Sequence, residues 1–150
     1  MAESRFDRKK HWEGIYSTRA PADTSWHQDV PEQSLDMIAR SGIGRSEPII
    51  DIGGGASLLV DHLLASAYRD ISVLDISSAA LRQARQRLGE RAATVEWVEA
   101  DVTRFSPGRQ YALWHDRAAF HFLTDPADRQ RYVNVLLQAL QAGGQAVIAT

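Results

Sequence analysis

Short apolar runs alternate along most of the chain with segments whose apolar residues recur at helical spacing. The clearest run is Ile49-Ile50-Asp51-Ile52, which follows Pro48 and breaks on three successive glycines. Its branched residues are typical of a strand that is covered on both faces. Comparable runs predict four further strands, at residues 70–77, 94–102, 111–117 and 145–150.

The segments between these runs carry apolar residues at three- and four-residue steps, which indicates helices. We expect helices over residues 34–40 and 57–68, and a third that is capped by Ser77 or Ser78 and continues to Leu88. Asp125 and Pro126 are typical of the start of a fourth helix, which the pattern extends to Gly143-Gly144. Its predicted apolar stripe consists of Tyr132, Val133, Leu136, Leu137 and Leu140. Residues 1–10 are polar and predict a flexible tail.

Alternation of strands and helices predicts an α/β fold with a doubly wound, mainly parallel sheet and helices on both faces. Ligands of such sheets bind beyond the carboxyl ends of the strands. Asp51, Asp75 and Asp101 stand near three of these ends, and the polar group at residues 115–117 stands at a fourth. One aspartate after a strand is usually a cap or turn residue. Repetition at four strands indicates a binding site along one edge of the sheet.

The glycine turn after the first strand limits the ligands that this site can take. A dinucleotide fingerprint counted from Gly53 needs glycine at position 58, where the chain has Leu58. A phosphate-binding P-loop needs a lysine after the glycines, and the chain has lysine only at positions 9 and 10. Asp51 would repel a pyrophosphate and favour a positively charged ligand. S-adenosylmethionine fits, because it has a sulfonium, an ammonium and no phosphate.

The composition and charge of the chain argue against several classes of binding partner and site. The 150 residues are 44% hydrophobic and 24% charged, as expected for one soluble globular domain over residues 1–150. A net charge of -2 gives no electrostatic reason to propose nucleic acid or a membrane as partner. The chain has no cysteine, which removes disulfides and zinc-thiolate sites, and no metal site is expected. Without a signal-peptide pattern or an apolar run long enough to span a membrane, a cytoplasmic location is expected.

Four stretches resemble the motifs of the class I S-adenosylmethionine-dependent methyltransferases. They are Ile50-Asp51-Ile52-Gly53-Gly54-Gly55-Ala56, Val73-Leu74-Asp75-Ile76-Ser77, Glu99-Ala100-Asp101-Val102, and Trp114-His115-Asp116-Arg117 with the following residues 120–123. Ala56 replaces a glycine that is often found in the first motif. The resemblance implies a Rossmann-like sheet of about five strands in the order 3-2-1-4-5. It also implies S-adenosylmethionine as cofactor and S-adenosylhomocysteine as product.

The resemblance also implies which residues bind the cofactor. The acid of the second motif, Asp75, would hold the ribose hydroxyls, and Asp101 and the backbone of Val102 would meet the adenine. Residues 11–33, with Trp12, Tyr16 and Trp26, are similar to an N-terminal cap segment that closes over the cofactor. The complete expected cofactor set is Asp51, Gly53, Gly54, Gly55, Ala56, Asp75, Ile76, Asp101, Val102, His115, Trp12, Tyr16 and Trp26.

Methyl transfer is an in-line displacement, so the protein mainly aligns the acceptor and keeps water out. If the acceptor must lose a proton, His115, Asp116 or His121 could accept it; each could equally be a packing or hydrogen-bonding residue. We expect a small-molecule acceptor. Two alternatives stay open: a non-catalytic or truncated module that binds S-adenosylmethionine, and an NAD-binding oxidoreductase, which Leu58 disfavours.

Family members normally continue through two further strands, which the sequence lacks. The fifth strand would then form an edge of the sheet, and an uncovered apolar edge invites pairing with another chain. The sequence therefore predicts a homodimer that pairs or exchanges elements through residues 144–150.

Overall fold

The computed structural model describes residues 6–25 and 27–150. Its five strands form one parallel sheet in the order β3-β2-β1-β4-β5, as the resemblance implied. The strands are β1 (Ile49–Ile52), β2 (Ile71–Asp75), β3 (Val95–Glu99), β4 (Tyr111–Asp116) and β5 (Leu140–Ile148). The helices are α1 (Arg8–Thr18), α2 (Glu32–Arg40), α3 (Leu59–Ala65), α4 (Ser78–Leu88) and α5 (Pro126–Ala139). In the described part of the chain, no helix is long and apolar enough to cross a membrane.

Two apolar cores lie on opposite faces of the sheet, which is why the isoleucines of β1 occupy both of its faces. Ile49 packs with the core that contains residues of α2, α3 and α4, whereas Ile50 and Ile52 belong to the core that contains residues of α5. All four residues of β1 are buried. The central position of β1 therefore places its carboxyl end, at Asp51 and the glycines, in the middle of the sheet edge.

The predicted tail is wrong for residues 8–10, because α1 begins at Arg8. Asp7 caps this helix by accepting a hydrogen bond from the backbone N–H of Lys10 at 3.0 Å. Arg8 then bridges Asp101 and Asp128, two carboxylates that lie 93 and 120 residues away in the sequence. These distant ion pairs fix a segment whose local sequence is merely polar.

The predicted end of the fourth helix is also wrong. The corresponding helix, α5, ends at Ala139, and Leu140 already pairs with Tyr111 in the sheet. β5 then passes through Gly143, whose φ is +76°, and shifts its register against β4. The buried stripe is Asp128, Tyr132, Val135 and Ala139, while Val133 and Leu137 of the predicted stripe are exposed. The hydrophobic pattern predicts the wrong end for this helix because Leu140 continues the helical spacing of apolar residues. Leu140 is already the first residue of β5, and no turn separates the two elements.

Candidate functional site

The carboxyl ends of β1, β2, β3 and β4 meet at one cavity. Asp51 and Asp75 line it from the ends of β1 and β2, Asp101 from the loop after β3, and His115 from the end of β4. Parallel strands bring these ends to the same edge, as the sequence led us to expect. Of the expected cofactor set, the lining contains Trp12, Tyr16, Asp51, Gly53, Gly54, Ala56, Asp75, Ile76, Asp101, Val102 and His115.

The glycine turn brings the backbone to the cavity wall with no room for side chains. Gly53 has φ +67°, a left-handed conformation that favours glycine. A β-carbon on Gly54 would lie 2.1 Å from Asp51 Oδ2, closer than any real contact. Gly55 is not in the lining, but its N–H donates to Asp75 Oδ2 at 3.1 Å. The turn is thus shaped around the two carboxylates as well as around the cavity.

Asp75 is a buried carboxylate held by backbone groups. Besides the bond from Gly55, the N–H of Ser77 donates to its Oδ1 at 2.9 Å. Burial raises the pKa of Asp75 from 3.8 to about 6, against the lowering effect of these hydrogen bonds; the nearby charge of Asp51 raises it as well. Each oxygen of the carboxylate can accept one further hydrogen bond.

Asp101 lines the cavity from the loop after β3 and lies in a network of charges. Thr103 donates to its Oδ1 through both its backbone N–H and its hydroxyl, and Arg8 donates to its Oδ2 at 2.7 Å. Burial alone would raise the pKa of Asp101, but the hydrogen bonds from Thr103 and Arg8 lower it below its ordinary value. Arg8 also donates to Asp128 Oδ2 at 2.5 Å, so one guanidinium joins α1, α5 and the loop after β3.

Asp51, His115 and Ser34 form a buried chain that runs from the cavity wall to α2. His115 Nδ1 lies 2.7 Å from Asp51 Oδ1, and its Nε2 lies 2.8 Å from Ser34 Oγ on α2. The three residues are 2%, 3% and 6% exposed. The other oxygen of Asp51, Oδ2, is buried and has no hydrogen-bond donor among the described residues. A buried carboxylate oxygen without a hydrogen-bond donor costs free energy, which a ligand that supplies a donor would offset.

The structure separates the three candidates for proton acceptance. His115 lines the cavity, but both of its ring nitrogens face protein partners. Asp116 is fully buried and accepts hydrogen bonds from Ala119 N–H, Phe120 N–H and the Tyr132 hydroxyl; burial raises its pKa against these bonds. His121 is exposed, with its ring against Phe122. Neither Asp116 nor His121 is among the lining residues.

Helix α1 covers the cavity through an aromatic cluster. The Trp12 ring lies 6.2 Å from the Tyr16 ring in a stacked arrangement and 4.9 Å from the Phe122 ring, edge to face. Gln83 on α4 donates to the backbone carbonyl of Tyr16 at 2.6 Å, which holds α1 on the body of the domain. Trp26, which the sequence places in the same cover, lies outside the described residues.

The sequence did not assign several lining residues to the expected set. They are Arg8, Thr24, His27, Gln28, Ile52, Ser57, Leu74, Ala100, Arg117, Ala118, Ala119, Phe122 and Leu123. His27 Nε2 lies 3.0 Å from Asp29 Oδ1, and His62 Nε2 lies 3.0 Å from the backbone carbonyl of Asp29, which ties this loop to α3. Ala100 and Arg117 lie in the third and fourth motif stretches, although neither is in the expected cofactor set. Thr24, His27 and Gln28 lie within the predicted cap segment at residues 11–33, although the sequence did not single them out, and Arg8 reaches the cavity through tertiary packing, which leaves no local signal.

Residues 49–144 match the sequence model of a family described as a methyltransferase domain. The chain is 26% identical to the eEF1A lysine and N-terminal methyltransferase of Mus musculus over 96% of its own length and 21% of that protein. It is 27% identical to malonyl-[acyl-carrier protein] O-methyltransferase 1 of Ilyobacter polytropus, over 68% of this chain and 37% of that protein. The chain thus spans well under half the length of these curated relatives.

Solved structures share the fold. The N-methyltransferase NodS from Bradyrhizobium japonicum, in complex with S-adenosylhomocysteine, superposes with a TM-score of 0.74 and 20% identity, over 95% of this chain and 72% of that one. The glycopeptide N-methyltransferase MtfA, complexed with S-adenosylmethionine, superposes with a TM-score of 0.71 and 20% identity, over 87% of this chain and 58% of that one.

Proposed function

This chain belongs to the methyltransferase domain family, and from that premise we propose that it binds S-adenosylmethionine and transfers the methyl group to a small-molecule acceptor. The observation that carries the proposal is the convergence of four strand ends, with Asp51, Asp75 and Asp101, on one cavity beside the glycine turn. By their names, the relatives act on acceptors as different as eEF1A and malonyl-[acyl-carrier protein], so the acceptor is the finer part of the proposal.

The residues that line the cavity fit such a cofactor. The unpaired Oδ2 of Asp51 suits a ligand that carries positive charge. Because Gly54 has no β-carbon, its backbone lies close to this oxygen without a clash. In the proposed arrangement, Asp75 accepts the ribose hydroxyls, and Asp101 and Val102 meet the adenine.

The remaining members of the expected set surround the same ligand. Gly53, Gly54, Gly55 and Ala56 would approach the amino-acid part, and Ile76 would pack on the adenine. Trp12 and Tyr16 would cover the cofactor, with Trp26 assigned to the same cover from the sequence alone.

When bound, S-adenosylmethionine supplies an electrophilic methyl group on a sulfonium, so the protein needs no covalent nucleophile. The residues of this chain then have to orient the acceptor and keep water out. Helix α1 and the aromatic rings of Trp12 and Phe122 exclude water from one side. Thr24, His27, Gln28 and Arg117 supply polar groups in the lining with which an acceptor can be oriented. Placement favours His115 as a structural partner of Asp51 over a proton acceptor.

Two measurements test this function. Substitution Asp75→Ala removes charge-assisted hydrogen bonds, so S-adenosylmethionine should bind less tightly by about 1.5–3 kcal/mol in calorimetry. Unchanged affinity would show that Asp75 does not hold the ribose. Release of S-adenosylhomocysteine should be detected with at least one member of a panel of small amines, carboxylates and hydroxyl compounds. Binding without release across the whole panel, with release on a protein or peptide acceptor, would contradict the small-molecule assignment.

A further inference from the structure

We infer that Ser34 and His115 are positioning residues for Asp51, and that this buried chain sets the affinity of the site for the amino-acid part of its ligand. The inference rests on the proposed function. It assigns to Ser34, which lies on α2 and is not among the lining residues, an effect on the cavity that passes through two other side chains.

The geometry leaves His115 little freedom. Its two ring nitrogens are held on opposite sides, by Asp51 Oδ1 at 2.7 Å and by Ser34 Oγ at 2.8 Å. With Nδ1 donating to the carboxylate, Nε2 can accept from the Ser34 hydroxyl, so a neutral ring satisfies both contacts. The order of groups is that of a hydrolytic triad. Ser34, however, is a buried residue of α2 and lies away from the lining, so it is no nucleophile here.

Anchoring one oxygen of Asp51 determines where the other one lies. With Oδ1 fixed by the imidazole, rotation of the carboxylate is restricted, and Oδ2 is held beside Gly54 without a donor of its own. A preorganised acceptor loses less conformational entropy when it binds a cationic donor. The ammonium of the amino-acid part is the cation on S-adenosylhomocysteine, whereas 5′-deoxy-5′-methylthioadenosine keeps the adenine and ribose and lacks that part. Comparing the affinities for these two ligands therefore separates the effect of the Ser34–His115–Asp51 hydrogen bonds from effects on the rest of the site.

The test is calorimetric titration of both ligands into the wild type, Ser34→Ala, Ser34→Thr and a matched control. Loss of one hydrogen bond costs about 0.5–1.5 kcal/mol. Ser34→Ala should therefore weaken S-adenosylhomocysteine about 2- to 12-fold and leave 5′-deoxy-5′-methylthioadenosine unchanged. Ser34→Thr keeps a hydroxyl and should restore most of the affinity. Ser72→Ala removes another buried serine hydroxyl, one that donates to Glu96 outside the cavity, and should change neither affinity.

The ratio of the two affinities protects the test against partial unfolding, because an unfolded fraction lowers the apparent affinity for both ligands alike. An unchanged ratio in Ser34→Ala, with the wild type binding both ligands, overturns the inference while the proposed function stands. If S-adenosylhomocysteine does not bind the wild type at all, the proposed function fails and this inference fails with it.

Discussion

Glu13 on α1 accepts hydrogen bonds from both the backbone N–H and the hydroxyl of Ser78, at 2.8 and 3.0 Å. The N–H of Ala79 donates to the same carboxylate at 3.0 Å. These groups belong to the first turn of α4, where backbone N–H groups lack partners within the helix. Glu13 on α1, the helix that covers the cavity, therefore caps α4, and this contact holds α1 in place over the cavity.

Removal of this cap should loosen the cover. Glu13→Ala is expected to lower the free energy of unfolding by about 0.5–2 kcal/mol, the usual range for a lost N-terminal cap. Affinity for S-adenosylhomocysteine should fall too, because Trp12 and Tyr16 lie on the same helix. Asp36→Ala, which breaks an exposed pair with Arg40, is the control and should change stability by less than about 0.5 kcal/mol. Equal effects in denaturant titrations of the two variants would contradict the capping role.

Substitution of two neighbouring cationic residues of α1 should lower the stability of the protein by very different amounts. Arg8 bridges two partly buried carboxylates, whereas Lys9 makes one exposed pair with Glu99. Arg8→Ala should cost about 1.5–3 kcal/mol, since it removes hydrogen bonds between charged groups, and Lys9→Ala should have a clearly smaller effect, because water screens its exposed pair. Thermal unfolding of both variants in the same buffer measures the difference. A larger loss for Lys9→Ala would show that α1 is held differently.

Much of the fold could be predicted from local sequence, because apolar strands and capped helices leave periodic signals. The boundary between α5 and β5 could not, since Leu140 suits both the helix stripe and the strand that pairs with Tyr111. The same limit applies to the site. Asp51, Asp75 and Asp101 lie at or just after the carboxyl ends of strands and are predicted by position, whereas Ser34 and Arg8 reach the site by contacts between distant segments.

Two glycine substitutions should have opposite effects. Gly54→Ala would place a β-carbon 2.1 Å from Asp51 Oδ2, and overpacking of this kind costs about 1–3 kcal/mol. Binding of S-adenosylhomocysteine should weaken as Asp51 is displaced. Gly14→Ala lies within α1 with no atom inside 4 Å of the new carbon, so it should stabilise the protein by about 0.5–1 kcal/mol. Thermal unfolding and calorimetry on both variants measure these effects, and tight binding by Gly54→Ala would contradict the role of the turn.

Asp75 should make ligand affinity depend on pH. Its pKa is raised from 3.8 to about 6, so the stability it contributes to the ligand-free protein is present below pH 3.8 and lost as the pH rises through 6. Ribose hydroxyls prefer the ionised carboxylate as acceptor. Affinity for 5′-deoxy-5′-methylthioadenosine should therefore be constant above about pH 7 and fall as the pH drops through 6, by up to about tenfold per unit.

Calorimetry between pH 5 and 8 measures this dependence, and Asp75→Asn should abolish it. Asp101 does not interfere, because its pKa is lowered and it stays ionised over this range. A profile of the same shape in Asp75→Asn would assign the titration to another group.

The most direct test of the central claim is a calorimetric titration of the wild-type chain with S-adenosylhomocysteine and, separately, with NAD. We expect saturable binding of one S-adenosylhomocysteine per chain and no heat of binding with NAD, because the site pairs carboxylates with a glycine turn that lacks the dinucleotide fingerprint. Binding of NAD without binding of S-adenosylhomocysteine would contradict the account.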